Sequence, residues 1–523
     1  MPRFAAIDVG SNALRLRMVE ASAPSHSPGA KDQLALLPHA DGIGHWRDLA
    51  TVRAPVRLGT EVFLSGRLAP ASIGQACDAL REFRAEMDRV KVDAYRAIAT
   101  SAVREAKNGA TLVERARREA GIELESIEGI EEARLIQLAV TRRVSLGDQR
   151  ALLVDVGGGS TELTLLEKGH TVFTMSLNLG TVRMLEAYLK GVKTVDRKRE
   201  RLLEEAIDRA LGEAIPQLGK VDVLVGTGGN VETLVDLCPA KGRAIDVVAA
   251  RALFKKMCTM SNVERRDAWQ LRPDRADTIL PATAIFLRLA RKLDQPTILA
   301  PGVGLATGIL EELVDKFFHV WDAAGEAEHI LDACMRVGRH YHFDEAHARQ
   351  VGRFATQLFD DLLSVHAFGD RDRLLLRAAA ILHDIGDYIH YSGHHKHSYY
   401  LIQHADIMGI TPEERAIVAN IARYHRKGPP DSTHANLREL TKEARGKVRG
   451  LASILRLADA LDREHRQKIE SVRAAVDRAA GKVTLFLRGS DDRELEEWTV
   501  GAKASLWSDE YDLDVAIAKA EVP

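Results

Sequence analysis

Apolar residues follow two rhythms along this chain. Short continuous or alternating runs bounded by glycine mark strands, and apolar residues spaced three and four apart mark helices. The stretch "FAAIDVGSNALRLRMVE" begins as an apolar run, stops at Asp8, turns through Gly10, Ser11 and Asn12, and resumes as Leu14, Leu16 and Met18. The design returns at "ALLVDVGGGSTELTLLEKG". There Leu152 to Val154 meet Asp155, the turn holds Gly157 to Gly159 with Ser160 and Thr161, and Glu162 leads into Leu163 and Leu165. Each unit predicts strand, tight turn, strand, and the two form an internal repeat one domain length apart. Residues 71–90 place Ile73, Ala76, Cys77, Leu80, Phe83 and Met87 on one helical face, and 196–214 predicts another helix. Strands are expected at 95–100 and at 221–230, the second ending in Gly228 and Gly229. Beyond about 315 the pattern turns helical and histidine-rich, and "KVTLFLRG" and "WTVGAKASLW" then suggest a small β-containing end. The expected fold class is α/β, with domains at 1–135, 136–315, 316–470 (helical) and 471–523 (small α+β).

Composition changes this picture little. A chain of 523 residues is too long for one core. Its net charge of −2 supplies no global field for nucleic acid or a membrane surface. Cys77, Cys238, Cys258 and Cys334 are far apart and form no CxxC pair, so free thiols are expected. The first apolar run is short and contains Asp8, unlike a signal peptide, and no run is long enough to span a bilayer, so a cytoplasmic protein is expected. His26, His39 and His45 are expected at the surface, and Arg197 to Arg199 on a solvated helix face.

A structural hairpin needs neither a carboxylate nor two hydroxyls beside its glycines. Bare amides in facing turns can grip a phosphate chain. Asp8 and Asp155 would repel phosphate directly, so their natural task is to hold a divalent cation that bridges to it. No GxxxxGK[ST] occurs, which excludes a P-loop. "ATSAVREAKN" offers Ser101 and Arg104 at a strand end, suited to phosphate. Glu131 and Glu132 open a helix, where the helix dipole alone favours acids; a structural and a catalytic role both stay open.

Taken in order, "AAIDVGSNA", "VRLGTEVFLSGRL", "ATSAVREA", "IEGIEEARLI", "LLVDVGGGSTEL", "SLNLGTVRM", "VGTGGN" and "HHKHSYYLI…ARYHRKG" resemble the exopolyphosphatase/guanosine pentaphosphate phosphatase (Ppx/GppA) family. The paired hairpins are similar to those of the actin-like (ASKHA, ribonuclease H-like) superfamily, which implies two such lobes in the first half. The resemblance implies hydrolysis of a terminal phosphoanhydride of inorganic polyphosphate, or of pppGpp, with release of orthophosphate. It implies Glu132 as general base, Glu162 beside the attacking water and Arg104 on the phosphate. Asp8, Asp155 and Glu162 would hold Mg2+ or Mn2+. Gly10, Ser11, Asn12, Ser101, Gly157, Gly158, Ser160, Thr161, Gly228 and Gly229 would surround the phosphates. It also implies a homodimer through the helical domains. Two departures bear on substrate preference: Ala13 stands where the family carries a hydroxyl, and "GLATG" (304–308) lacks an arginine and a glutamate.

In the second half, His347 and Asp459 sit on apolar faces and His383-Asp384 follows "AAAIL". Such groups are costly there unless paired or metal-bound. Their order resembles the HD phosphohydrolase superfamily and implies a second divalent metal at His347, His383, Asp384 and Asp459, with His397 and His425 as further candidates; in the Ppx/GppA family this domain often only binds the polyphosphate tail. Both roles stay open. The basic tracks "HHKH", "RYHRK" and "RGKVR" fit a polyanion, with His397, His425, Arg426 and Lys427 as contacts. The rival classes are a chaperone or sugar kinase of the same superfamily and a non-catalytic polyphosphate- or nucleotide-binding regulator.

Overall fold

Two strands buried on both faces organise the first half of the chain. The computed structural model describes residues 1–23, 35–36, 45–318, 323–405, 407–431 and 433–519. Strands β1 (Arg3–Val9), β2 (Leu14–Ala21), β3 (Trp46–Ala54), β4 (Ala94–Ala99) and β5 (Leu124–Ser126) form a sheet in the order β3-β2-β1-β4-β5. β1 pairs antiparallel with β2 and parallel with β4. The period of two along β1 sends its side chains both ways. Ala5, Ile7 and Val9 pack with Ile73, Cys77, Leu80 and Phe83 of helix α1 (Pro70–Val90). A short helix α2 (Ser101–Glu105) follows β4. Phe4 and Ala6 pack on the opposite side with Leu135 of α3 (Gly129–Arg143).

The second sheet repeats the first and extends it. Strands β6 (Arg150–Val156), β7 (Thr161–Glu167), β8 (His170–Leu177), β9 (Val223–Thr227), β10 (Pro239–Ala240), β11 (Ala244–Asp246) and β12 (Thr297–Leu299) run in the order β8-β7-β6-β9-β12-β11-β10. Leu152 and Val154 of β6 meet Leu203 and Ile207 of α4 (Arg197–Leu211) and Ile279 and Ile285 of α5 (Pro273–Lys292). Ala151 and Leu153 meet Ile136 and Val140 of α3. Helix α3 therefore serves both sheets, and the boundary expected after residue 135 falls inside it. Helix α6 (Leu305–Phe317), expected with the second lobe, packs Ile309, Leu310 and Val314 against Phe4 and Ala6 of the first. These are actin-like lobes with the duplicated hairpins at their centres.

The chain divides into two compact units, Met1–Trp321 and Asp322–Pro523. In the second, helices α7 (Ala323–His340), α8 (Glu345–Asp361), α9 (Asp370–Leu382), α10 (His394–Gln403), α11 (Pro412–Arg423) and α12 (Lys442–Ala460) precede a three-stranded sheet. That sheet is β13 (Ile469–Asp477), β14 (Lys482–Gly489) and β15 (Asp514–Lys519), with α13 (Glu494–Lys503) and α14 (Ser505–Tyr511) in the crossover. The expected split at 470 separates no cores: Phe354, Leu376 and Leu455 share one cluster with Val472, Leu485 and Trp507. "KVTLFLRG" is a strand, but "WTVGAKASLW" is helical, burying Val500, Leu506 and Trp507 against that core. All four cysteines are free and buried. His45 is not a surface residue; its ring lies 3.3 Å from the buried Glu311 carboxylate. His26 and His39 lie outside the described residues.

Candidate active site

The two hairpins match in register. Val9 pairs with Leu14 and Val156 with Thr161, which leaves the turns Gly10–Ala13 and Gly157–Ser160. In each, the first N–H donates to the last carbonyl, Gly10 to Ala13 at 3.2 Å and Gly157 to Ser160 at 3.0 Å. Beside the turns, Asp8 stands opposite Arg15 and Asp155 opposite Glu162. The repeat thus differs in charge: acid faces base in the first hairpin and acid faces acid in the second. The hairpins approach closely. A Cβ on Gly158 would stand 2.9 Å from Ser11 Cβ, and one on Gly159 would stand 2.3 Å from Phe63.

The turns open on a cavity of about 230 Å³. Its wall holds Asp8, Gly10, Ser11, Asn12, Glu132, Asp155, Gly157, Gly158, Gly228 and Gly229, so most of the residues expected at the phosphates and the metal do meet in one place. The N-terminus of α6, from Gly304 to Thr307, closes one side and adds the anion-favouring end of a helix. Gly228, at φ +100°, turns the chain back under Val156.

Ser101, Ser160 and Thr161 do not reach the wall. Ser101 Oγ lies 2.9 Å from Ser11 Oγ, the Ser160 hydroxyl serves Glu162, and Thr161 donates to the Leu179 carbonyl. They brace the turns from behind. Arg104 is also set back. It donates to the Ile127 carbonyl at 2.7 Å and comes within 4.0 Å of Glu132 Oε2. Its charge therefore acts on Glu132 rather than from the cavity wall.

Oxygens of Glu132, Asp155 and Glu162 lie within 4.8 Å of one another, all three side chains buried. Burial pushes the Asp155 carboxyl up to about 6, with the Thr227 hydrogen bond opposing and the Asp8 charge adding. Burial and the Asp155 charge push Glu162 up to about 7. Burial, then Glu162 and Asp155, hold Glu132 well above the usual carboxylate range, against Arg104. Thr227 donates to Asp155 at 2.6 Å and Ser176 to Glu162 at 3.0 Å, but Glu132 Oε2 and Glu162 Oε2 are buried with no hydrogen-bond partner. Crowded acid oxygens, two of them without a donor, fit a divalent cation. Asp8 departs from the expected metal set: its carboxylate is turned to Arg15 at 3.4 Å, outside the trio.

Two cationic wall residues escaped the sequence reading. Arg15 stands in the first hairpin where Glu162 stands in the second, so strict alignment of the repeat would have found it. Arg275, in the first turn of α5, shares the wall with it; a Cβ on Gly229 would lie 2.8 Å from Arg275 and 3.3 Å from Arg15. Burial lowers the Arg275 guanidinium to about 10, with Arg15 repelling it, and no carboxylate among the described residues forms an ion pair with it. "RPDRAD" gives no hint that this arginine, among many, is turned inward.

In the second unit the structure gathers His347, His383 and Asp459, with Asp384 3.4 Å from the His383 ring. His425, a candidate both for this cluster and for the polyphosphate tail, is buried beside the cluster, its Nε2 3.4 Å from Asp384. His397 is half-buried, Arg426 lies over the Tyr391 ring and Lys427 is exposed.

Residues 39–317 match the model of the Ppx/GppA phosphatase family, and residues 332–502 match that of Ppx/GppA phosphatase, domain III. The guanosine-5'-triphosphate,3'-diphosphate pyrophosphatase of Vibrio campbellii is 28% identical over 436 residues, 82% of this chain and 81% of that protein. The protein of the same name from Aeromonas salmonicida is 26% identical over 430 residues, 80% of this chain and 79% of its own. Among solved structures, an exopolyphosphatase from Cytophaga hutchinsonii is similar with a TM-score of 0.53 and 22% identity, covering 60% of this chain and 98% of that one.

Proposed function

The chain belongs to the Ppx/GppA phosphatase family and hydrolyses phosphoanhydrides, and on that premise we propose that it is an exopolyphosphatase, removing orthophosphate from the end of inorganic polyphosphate. The observation that carries this reading is the makeup of the cavity. Glycine turns, Arg15, Arg275 and a helix N-terminus line it, and no aromatic side chain is among its wall residues to stack a nucleobase.

The wall amides and the two arginines bind and orient the anionic chain end, with the terminal phosphorus toward the carboxylates. Asp155 and Glu162 would hold Mg2+ or Mn2+, which when bound neutralises charge on the transferred phosphoryl group. Glu132 accepts a proton from the attacking water; its burial makes it a stronger base, and Arg104 keeps its carboxylate turned to the site. The water oxygen bonds to the terminal phosphorus, the bridging P–O bond breaks, and its electron pair stays on the shortened chain.

A second reading, hydrolysis of the 5'-terminal phosphate of pppGpp, is supported by the printed names of the Vibrio and Aeromonas relatives. Initial rates of phosphate release from long polyphosphate, tripolyphosphate and pppGpp decide between them. The exopolyphosphatase reading expects kcat/KM at least about tenfold higher on long polyphosphate than on pppGpp; the reverse order replaces it with the second. Glu132→Gln is expected to lower kcat by about 10²–10⁴ with KM little changed. Undiminished kcat would remove Glu132 as the base.

A further inference from the structure

Arg183 lies off the cavity wall, yet it joins three parts of the site. Its Nε donates to the Gly159 carbonyl at 2.8 Å. Its Nη2 donates to both oxygens of Glu105, the last residue of α2, at 2.7 Å. Its guanidinium carbon lies 4.2 Å from the centre of the Phe63 ring. Helix α2 also carries Ser101, which backs Ser11, and Arg104, which approaches Glu132. A planar guanidinium suits this post, because Nη2 serves the carboxylate while Nε remains for the carbonyl.

The bond to Gly159 completes a series. The Gly157 carbonyl accepts from the Thr181 N–H at 3.0 Å, and the Gly158 carbonyl accepts from the N–H groups of Val182 at 2.8 Å and Arg183 at 3.1 Å. A Cβ on Gly180 would collide with the Gly158 carbonyl, so this approach needs glycine. Three successive carbonyls of the turn are thus claimed by residues 181–183, two by main chain and the third by the Arg183 side chain. In a trans peptide the C=O and the next N–H point opposite ways. The N–H groups of Gly158, Gly159 and Ser160 are therefore turned from that segment, and no oxygen among the described residues accepts from them. Gly157 and Gly158 meet the cavity with this free edge. Successive amides aligned in this way form an anion-binding concavity. Glycine gives the turn little stiffness of its own, so an unheld peptide flips readily and puts a carbonyl where an amide was.

We infer that Arg183 is a positioning residue for phosphate binding: it fixes the Gly159–Ser160 peptide and, through Glu105, ties the amides of the second turn to α2. It acts through the turn rather than on the substrate. This rests on the cavity being the phosphoanhydride site, and it is independent of which substrate fills that site, because orthophosphate leaves from polyphosphate and from pppGpp alike.

Full-length wild type and Arg183→Met are titrated with inorganic orthophosphate in the presence of Mg2+ by isothermal calorimetry, at about 0.05 M and about 0.5 M salt. The variant is expected to bind phosphate about tenfold more weakly at both salt concentrations. A ratio that collapses toward one at high salt means that the arginine acts by its charge through solvent, and overturns the positioning role. Equal affinities at both concentrations overturn it too, and a wild type that binds no phosphate overturns the cavity assignment beneath it. Circular dichroism checks that the variant folds. If it does not, hydrogen exchange on wild type decides: saturating phosphate is expected to slow exchange at Gly158, Gly159 and Ser160, and no change there overturns the role. The rates on polyphosphate and pppGpp test the substrate reading separately, since they rank two substrates on one intact turn.

Discussion

Adjacent residues in the first turn of α3 have opposite tasks. Glu131 turns to Arg134 at 2.7 Å and to Arg96 at 3.3 Å, and Glu132 turns to Asp155 and Glu162. About 100° of helical rotation separates a structural acid from the proposed base. Nothing in "EEA" alone makes that distinction. The same holds for Arg275, which owes its place on the cavity wall to the start of α5. Charged hydrogen bonds to a bound anion contribute about 1.5–3 kcal/mol. Arg275→Ala is therefore expected to raise KM for polyphosphate by about 10- to 100-fold with a smaller effect on kcat, and to flatten its dependence on salt. Initial rates across an ionic-strength series measure both. An unchanged KM would place the chain end elsewhere.

Helix α6 shows how an element is held where the cavity needs its N-terminus. Gly308 lets it lie against α3; a Cβ there would stand 2.0 Å from the Leu135 carbonyl. The departure from the family pattern at 304–308 thus keeps the glycine that the helix crossing requires. Glu312, 3% exposed, bonds Arg96 at 2.7 Å and Arg134 at 2.5 Å and fastens α6 to the first lobe. Burial raises its carboxyl, and Arg134, Arg96 and Lys316 more than offset that, taking it down to about 2. A depressed folded pKa stabilises the protein above the unfolded value near 4.5, and that contribution is lost as pH falls toward 2. The span corresponds to about 3 kcal/mol. Glu312→Gln is expected to lower the melting temperature clearly at pH 7, with the gap to wild type narrowing steadily between pH 4.5 and pH 3. A gap independent of pH would mean that the pair contributes through packing alone.

At the scale of the whole chain, each unit closes its own core: Phe4, Ile7, Leu152 and Leu203 belong to clusters within Met1–Trp321, and Phe354, Leu455 and Trp507 to one within Asp322–Pro523. A fragment of residues 1–318 is expected to melt cooperatively and to release phosphate from tripolyphosphate with a kcat within about tenfold of the full chain. A fragment that folds but lacks this activity would make the second unit part of the chemistry. No helix among the described residues is long and apolar enough to cross a membrane.

The paired hairpins are legible in residue order alone, because a strand buried on both faces and a glycine turn leave local signatures within a dozen residues. The helical second unit and the short list of acids are legible for the same reason, and the likeness of the paired hairpins to a known superfamily implied the two lobes. Tertiary packing alone sets which acids converge, that Asp8 answers Arg15 while Asp155 faces Glu162, that Arg275 points inward, and that His394 joins His425 beside Asp384. Those outcomes depend on helices far apart in sequence packing at one crossing. Local residue order carries the period of an element, but the rotation of one helix against another is set by the shapes of both.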